Sequence, residues 1–205
     1  MTDVPVTAAP NEHPLGPPRS DWPALGTLHV RLTFTATPKG NVVFDAEKRW
    51  RPETDWREAL KNILSPNKPK SLDIRPTPWD FTVRRNCWVL IELDHGNWQF
   101  SRKKKGITLK EKGHAGLYFG LVHAYAHDDA TDGIPPKNGC RFAAFGAEYN
   151  VKKDRQSFNI HTQFVTGLDS DLVVDWDPDI RNQGDPTGEG EENDMDTMPA
   201  AAGAL

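Results

Sequence analysis

The residues best able to do chemistry in this sequence are histidines and acidic side chains in its central part: His114, His123, His127, Asp128, Asp129, Glu148 and His161. On a strand, His123 and His127 share one face because side chains alternate with a period of two. His127 and Asp129 have the form His-x-Asp, and His161 follows later in the chain. Two histidines and one carboxylate on one side of a metal are the ligands of non-heme iron enzymes.

This pattern resembles the jelly-roll iron(II) and 2-oxoacid oxygenases, and the resemblance implies metal ligands among His123, His127, Asp129 and His161. The chain lacks that family's basic residue beyond the distal histidine, since position 171 is Asp171 and the next arginine is Arg181. Alternation also places His161 on the polar side of its strand, which we expect to face solvent. A metal-dependent jelly-roll enzyme of the non-heme iron type is therefore an alternative hypothesis.

A basic run, Arg102, Lys103, Lys104 and Lys105, lies beside Trp98 and Phe100. Cations next to aromatic rings can bind phosphates and stack on bases, so the run is a candidate for nucleic-acid or polyanion binding. The tip of a polar hairpin explains the same residues, and Trp98 and Phe100 alternate onto one face as core residues do. No recognised RNA-binding motif accompanies the run, which makes nucleic-acid binding the second alternative.

Three of the seven tryptophans, Trp22, Trp50 and Trp79, lie next to prolines or at the ends of predicted elements. An aromatic ring in such a place can be exposed as a platform for a ligand or a partner. The same rings can instead hold extended connections against the domain. We take these tryptophans, together with Arg102–Lys105, as hypothetical binding residues.

Charge divides the chain into three parts. The net charge is −4, but residues 185–205 alone carry −6 and residues 1–19 carry −1, so residues 20–184 carry about +3. A charge this small does not require a polyanionic partner. Six prolines among small and polar residues predict a flexible arm over residues 1–23. We therefore expect an arm, a domain over residues 24–184 and a disordered acidic tail over residues 185–205.

Strands dominate the predicted domain. Leu28, Val30 and Leu32 alternate with His29 and Arg31, which is typical of a half-buried strand. Helical spacing appears only over residues 54–64, before Ser65-Pro66. Runs at residues 87–93 and 98–100, separated by a turn, predict a hairpin, and further strands follow up to residue 176. The pattern predicts a mainly β fold, an antiparallel β-sandwich or jelly roll with one short helix.

Other signals are few. Cys87 and Cys140 lie in apolar runs and are expected to be buried reduced thiols. The sequence has no secretion signal and no run of 18 apolar residues, so we expect a cytoplasmic protein without membrane contact. It also has no glycine-rich phosphate loop and no Gly-x-Ser-x-Gly motif, and we expect no cofactor.

The last predicted strand, Leu172–Trp176, continues into Asp177-Pro178-Asp179-Ile180. This ending is similar to the close of the bacterial AidA/PixA inclusion-body proteins. The resemblance implies an intracellular sandwich protein that accumulates and assembles without established enzymatic activity. The leading interpretation is therefore a non-enzymatic intracellular β-sandwich that acts through protein binding or self-assembly, with a protein partner or further copies of itself.

Overall fold

The computed structural model describes residues 12–36, 42–65, 81–94, 97–101, 103–125, 131–132, 140–150, 155–165, 172–176 and 179–182. Several predicted features lie outside these residues: Trp79, Arg102, His127, Asp129, the first eleven residues and the acidic tail. No helix in the described ranges is long and apolar enough to cross a membrane.

Strands and one α-helix make up most of the described chain. The strands are β1 (Thr27–Ala36), β2 (Val42–Arg51), β3 (Phe81–Val83), β4 (Cys87–Leu93), β5 (Trp98–Phe100), β6 (Ile107–Leu109), β7 (Tyr118–Ala124), β8 (Thr131–Asp132), β9 (Phe142–Ala147), β10 (Arg155–Phe164), β11 (Leu172–Trp176) and β12 (Asp179–Asn182). The helix is α1 (Trp56–Leu64), and a 3₁₀ turn spans Lys112–His114. The predicted mainly β class with one short helix is confirmed.

Two sheets carry these strands. The first has the order β2-β1-β4-β9-β7-β8, and the second has the order β11-β10-β12-β3, with β5 and β6 also paired to β10. Most neighbours are antiparallel, but β1 pairs with β4 and β12 pairs with β3 in parallel. Both parallel pairs join strands that are distant in sequence, and the local pattern did not predict them.

The main core contains apolar side chains from both sheets. Val30, Leu32, Val89 and Ile91 come from β1 and β4, and Phe100, Ile107, Phe158 and Ile160 come from β5, β6 and β10. Alternation along each strand sends every second side chain into this core and leaves the others on the outer face. The outer face of the first sheet is therefore where polar side chains of β1, β2 and β4 collect.

Helix α1 covers part of that outer face. Asp55 caps its start by accepting a hydrogen bond from the backbone N–H of Arg57 at 2.8 Å. Trp56, Ala59, Leu60 and Ile63 recur at helical spacing and form the buried side of the helix. They pack in a second cluster with Leu90, Val122, Ala124, Phe142 and Ala144. The helix covers the β4, β9 and β7 half of the face, so polar residues of β1 and β2 lie beside it.

The predicted hairpin between β4 and β5 is wrong. Trp98 and Phe100 pair with Phe164 and Thr162 of β10, so the chain changes sheets after Asp94. The physical reason is burial: Trp98 stacks on Phe34 at 4.6 Å and Phe100 is fully buried in the core. A turn signal identifies the end of a strand, but it does not identify the partner of the next one.

Residues 12–23, which we call the N-terminal strap, lie on the domain. His13 exchanges two backbone hydrogen bonds with Leu109, each of 2.7 Å, and the Gly16 N–H donates to Tyr118 at 2.8 Å. Arg19 forms an ion pair with Glu148 at 2.7 Å. These contacts differ from the flexible arm expected as far as residue 23, because backbone groups of β6 and β7 supply partners that composition alone does not reveal.

Candidate functional site

A buried histidine and a buried carboxylate meet on the outer face of the first sheet. His29 of β1 lies directly beside Leu90 of the parallel strand β4, and Glu92 follows two residues later on the same face. The Nε2 atom of His29 is 2.8 Å from Oε2 of Glu92, and their side chains are only 6% and 7% exposed. A carboxylate in this position fixes the orientation and the tautomer of an imidazole, as in many enzyme active sites.

Arg31 holds the carboxylate from its other side. It is opposite Glu92 on β4 and opposite Glu47 on β2, and its guanidinium lies within 4 Å of both carboxylates. Its shortest ion pair is with Asp94, at 2.6 Å. Burial lowers the pKa of Arg31, but the hydrogen bond to Asp94 and the nearby carboxylates outweigh burial and raise it. Arg31 is therefore a fixed cation that orders the acidic groups around it.

Two further arginines, Arg49 and Arg51, extend this face along β2. Register places Arg49 opposite His29 and Arg51 opposite Thr27, so both share the face of the histidine. Both are half-buried. On the β4 and β9 side, Arg141 donates from Nε to the Leu93 carbonyl at 3.0 Å. We call the set of His29, Arg31, Glu47, Arg49, Arg51, Glu92, Asp94 and Arg141 the His29 site.

Sequence reasoning missed this site, although two signals for it existed. His29 and Arg31 fall on the polar side of the β1 alternation, and Glu92 is the one acidic residue in the apolar run Cys87–Leu93. A carboxylate in a buried strand needs a charged or hydrogen-bonding partner. What the sequence could not supply was that partner, because β1 and β4 are joined in parallel across more than fifty residues.

A second polar cluster lies on the outer face of the other sheet, and we call it the His161 network: Glu12, Lys104, Thr108, Asn159, His161 and Asp175. The imidazole of His161 is 2.7 Å from Asp175 through Nδ1 and 2.8 Å from the Thr108 hydroxyl through Nε2. Its side chain is 1% exposed. The prediction that His161 faces solvent is therefore wrong, because Lys104 and Asp175 close over that side of the strand.

Lys104 joins the strap to this network. Its ammonium group lies 2.6 Å from Asp175 and 2.7 Å from Glu12. Burial alone would raise the pKa of Asp175, but hydrogen bonds from Lys104 and His161 outweigh it and lower that pKa. Burial likewise lowers the pKa of Lys104, and the two carboxylates reverse the shift and raise it. The cation is thus fully committed to internal partners.

Of the residues predicted as metal ligands, the structure describes His123 and His161. Within the described ranges, the one group of three metal-ligand types consists of Glu12, His161 and Asp175, and the Lys104 ammonium already bridges its two carboxylates. His123 lies elsewhere, fully buried, with its ring 5.5 Å from that of Phe100 and against Gly106. His127 and Asp129 lie outside the described residues, so metal binding by His123, His127, Asp129 or His161 stays a prediction.

The other predicted binding residues are spread over the domain. Trp22 packs edge-on against Phe119 at 4.6 Å, and Trp50 is half-buried beneath the guanidinium of Arg85. Lys103 and Lys105 are exposed, whereas Lys104 belongs to the His161 network. Neither tryptophan contacts the basic run in the described structure. Binding through these residues stays a prediction.

Both cysteines are buried, as expected. Burial raises the pKa of Cys87 to about 12. A thiol of this kind is protonated at neutral pH, and a protonated thiol is a much weaker nucleophile than a thiolate.

The fold and the His29 site together define a mainly β protein with a buried imidazole–carboxylate pair surrounded by arginines. Residues 26–185, which are 160 of the 205 residues, match the model of a family described as predicted novel nucleotide synthetase, and the chain belongs to that family. No curated protein matches the chain.

Membership in this family corrects the leading interpretation. A non-enzymatic protein that acts through protein binding or self-assembly is wrong, because the family is described as one of synthetases. No short motif marks the His29 site, because its residues come from the three strands β1, β2 and β4 and from Asp94 and Arg141, which lie just outside β4 and β9. The similarity of residues 172–180 to AidA/PixA proteins stays a prediction.

Proposed function

We propose that the chain is an enzyme that makes a nucleotide product by nucleotidyl transfer, with the His29 site as its active centre. The observation that carries this proposal is the family match over residues 26–185. Every residue of the His29 site lies inside the matched range. By contrast, Glu12, which accepts a hydrogen bond from Lys104 in the His161 network, lies outside the matched range.

Nucleotidyl transfer needs a proton acceptor. An attacking hydroxyl oxygen forms a bond to the α-phosphorus of the donor, and the bond from that phosphorus to the leaving oxygen breaks with its electron pair. The hydroxyl proton must pass to a base in or near the transition state. His29 is suited to this role, because Glu92 accepts the Nε2–H of the imidazole and so makes Nδ1 its basic nitrogen.

Glu92 supports the base in two ways. It holds the imidazole in one orientation, and it stabilises the imidazolium that forms when the proton arrives. Arg31, 3.9 Å from the second carboxylate oxygen, keeps Glu92 in place. The low exposure of the pair excludes water, which strengthens these electrostatic interactions.

The arginines of the site supply the other requirement. Phosphoryl oxygens gain negative charge during transfer, and guanidinium groups stabilise this charge through paired N–H donors. In the His29 site four arginines face three carboxylates, so the site keeps a positive excess even when His29 is neutral. This balance favours an anionic substrate over a cationic one.

The proposal is tested with ribonucleoside di- and triphosphates labelled at the α-phosphorus, each incubated with the purified chain and analysed for a labelled product. We expect the native chain to form one. His29→Gln and Glu92→Gln should slow the reaction by about 10²–10⁴-fold, the usual contribution of a general base.

His161→Gln is the matched control, since His161 is also buried and also paired with a carboxylate, and it should keep most of the native rate. Circular dichroism and thermal unfolding check that each variant is folded. Loss of activity in His161→Gln together with a native rate in His29→Gln would move the active centre to the His161 network. A native chain that labels no product would overturn the proposed function.

A further inference from the structure

We infer that Arg49 and Arg51 form a phosphate clamp in the His29 site, and that its ligand is the polyphosphate chain of a nucleoside triphosphate. The nucleoside part of this inference rests on the proposed function. The polyphosphate part rests on the arginines alone and can be tested without any reaction.

Arg49 and Arg51 are placed on β2 as a clamp requires. Arg49 and Arg51 are two positions apart on β2, which puts both guanidinium groups on one face with their Cα atoms about 6.5–7 Å apart. The residues opposite them are His29 and Thr27 of β1. Two long parallel cations at this spacing can converge on neighbouring phosphate groups of one chain.

Carboxylates lie near Arg51, but none of them forms an ion pair with it in the described structure, and the same holds for Arg49. Within the described part of the chain, neither makes an ion pair or a side-chain hydrogen bond. Other arginines there are committed: Arg19 pairs with Glu148 at 2.7 Å, and Arg31 pairs with Asp94 at 2.6 Å. The Nε–H of Arg51 is buried and has no acceptor.

Two arginines at this place carry a cost in free energy that a bound anion can remove. Burial has the largest effect on the pKa of Arg51 and lowers it. The carboxylates of Glu53, Glu92 and Glu47 raise this pKa and the adjacent charge of Arg49 lowers it, and the net shift is downward. Two half-buried cations side by side destabilise each other, and an unmade hydrogen bond on a buried donor costs free energy as well. A ligand with several negative charges can offset the repulsion between the two cations and also accept the missing hydrogen bond. A singly charged ligand offsets less of the repulsion.

The positions of Arg49 and Arg51 relative to His29 determine which phosphate of the ligand lies beside each arginine. Arg49 lies directly opposite the candidate base, whereas Arg51 lies one pleat further along β2. A triphosphate along β2 then has its α-phosphate beside Arg49 and its terminal phosphates toward Arg51. In the reaction, the hydroxyl oxygen bonds to the α-phosphorus, the hydroxyl proton goes to His29, and pyrophosphate leaves with the electron pair of the broken bond.

Isothermal titration calorimetry with inorganic tripolyphosphate tests the clamp directly. We expect the native chain to bind it, and Arg49→Gln and Arg51→Gln each to weaken binding by about tenfold or more, in line with one charged hydrogen-bonding partner lost. The double variant Lys103→Gln/Lys105→Gln removes the same charge from the exposed basic run, and we expect it to bind as the native chain does. Thermal unfolding confirms that the variants are folded.

Two results would overturn the clamp: no tripolyphosphate binding by the native chain, or native affinity in the Arg49→Gln/Arg51→Gln variant. The activity assay separates this inference from the proposed function. Product formation with an unchanged KM in the double arginine variant contradicts the clamp and leaves the function standing. Clamp-dependent binding of tripolyphosphate without any labelled product contradicts the function and leaves the clamp standing.

Discussion

His29 and Glu92 meet through a 2.8 Å contact between Nε2 and Oε2, although 63 positions separate them in sequence. The parallel register of β1 and β4 brings them together, and both side chains are shielded from solvent. Each group therefore supplies a buried hydrogen-bonding partner to the other, so their contributions to stability are coupled.

The first prediction concerns this coupling. His29→Leu and Glu92→Leu should each destabilise the chain by about 3 kcal/mol, because each leaves a buried polar or charged group without its main partner. The double variant should lose clearly less than the sum of the two, since no orphaned group remains. Urea unfolding followed by tryptophan fluorescence measures all four proteins. Additive losses would show that the two residues do not stabilise each other.

The second prediction concerns Lys104 and Asp175. The pKa of Asp175 is lowered, so its contribution is present above its ordinary pKa near 4 and is lost as the pH falls through the lower folded value. The pKa of Lys104 is raised, so its contribution is present below its ordinary pKa near 10 and is lost as the pH rises through the higher folded value.

Lys104→Met should therefore cost about 1 kcal/mol, a modest figure because both groups are partly exposed, and this cost should be constant between about pH 5 and 9. It should shrink as the pH approaches 3. Denaturant unfolding at several pH values measures it, with the exposed neighbour Lys103→Met as control. A cost that does not change down to pH 2 would contradict the assignment.

The third prediction concerns Gly106. Its φ is 70°, and an added Cβ would collide with Nε2 of His123. Gly106→Ala should destabilise the chain by about 3 kcal/mol, from left-handed backbone strain and from overpacking of the buried imidazole. Gly113→Ala is the control, because a Cβ there meets nothing within 4 Å. Equal melting temperatures for the two variants would argue against this packing.

The fourth prediction concerns the thiols. Burial raises the pKa of Cys87 to about 12, and Cys140 is 1% exposed, so neither thiol should react with a thiol reagent at pH 8 in the folded chain. In denaturant, two thiols per chain should react at once. A rapid reaction of either cysteine under native conditions would mean that its strand opens readily.

Local features of the fold could be predicted from the sequence. The alternation of Leu28, Val30 and Leu32 predicts β1, and the spacing of Trp56, Leu60 and Ile63 predicts α1, because both depend on residues near one another. The partner of β5 could not be predicted in this way. The pairing of β5 depends on the packing of Trp98 against Phe34 and Phe164. Both residues are far from Trp98 in sequence, so no local pattern shows these contacts.

The same limit applies to the site. The sequence pointed to His123 and His161 because histidines are common metal ligands. In the structure His123 lies beside Phe100, and His161 lies beside Thr108. His29 stood alone in the sequence, since its carboxylate lies on β4 and its neighbouring cation Arg49 lies on β2. Parallel pairing between distant strands creates the His29 site, and no spacing rule within one segment describes it.

Strand β3 has its described partner in β12, at the far end of the domain: Phe81 lies beside Ile180, and Val83 beside Asn182. During synthesis on the ribosome, nearly one hundred residues must follow β3 before that partner exists. Until then the backbone groups of β3 are an open edge, which is the kind of surface that recruits other chains. The second sheet is thus completed only late in synthesis, when β12 has been made. A chain released before residue 179 keeps that edge of β3 uncovered.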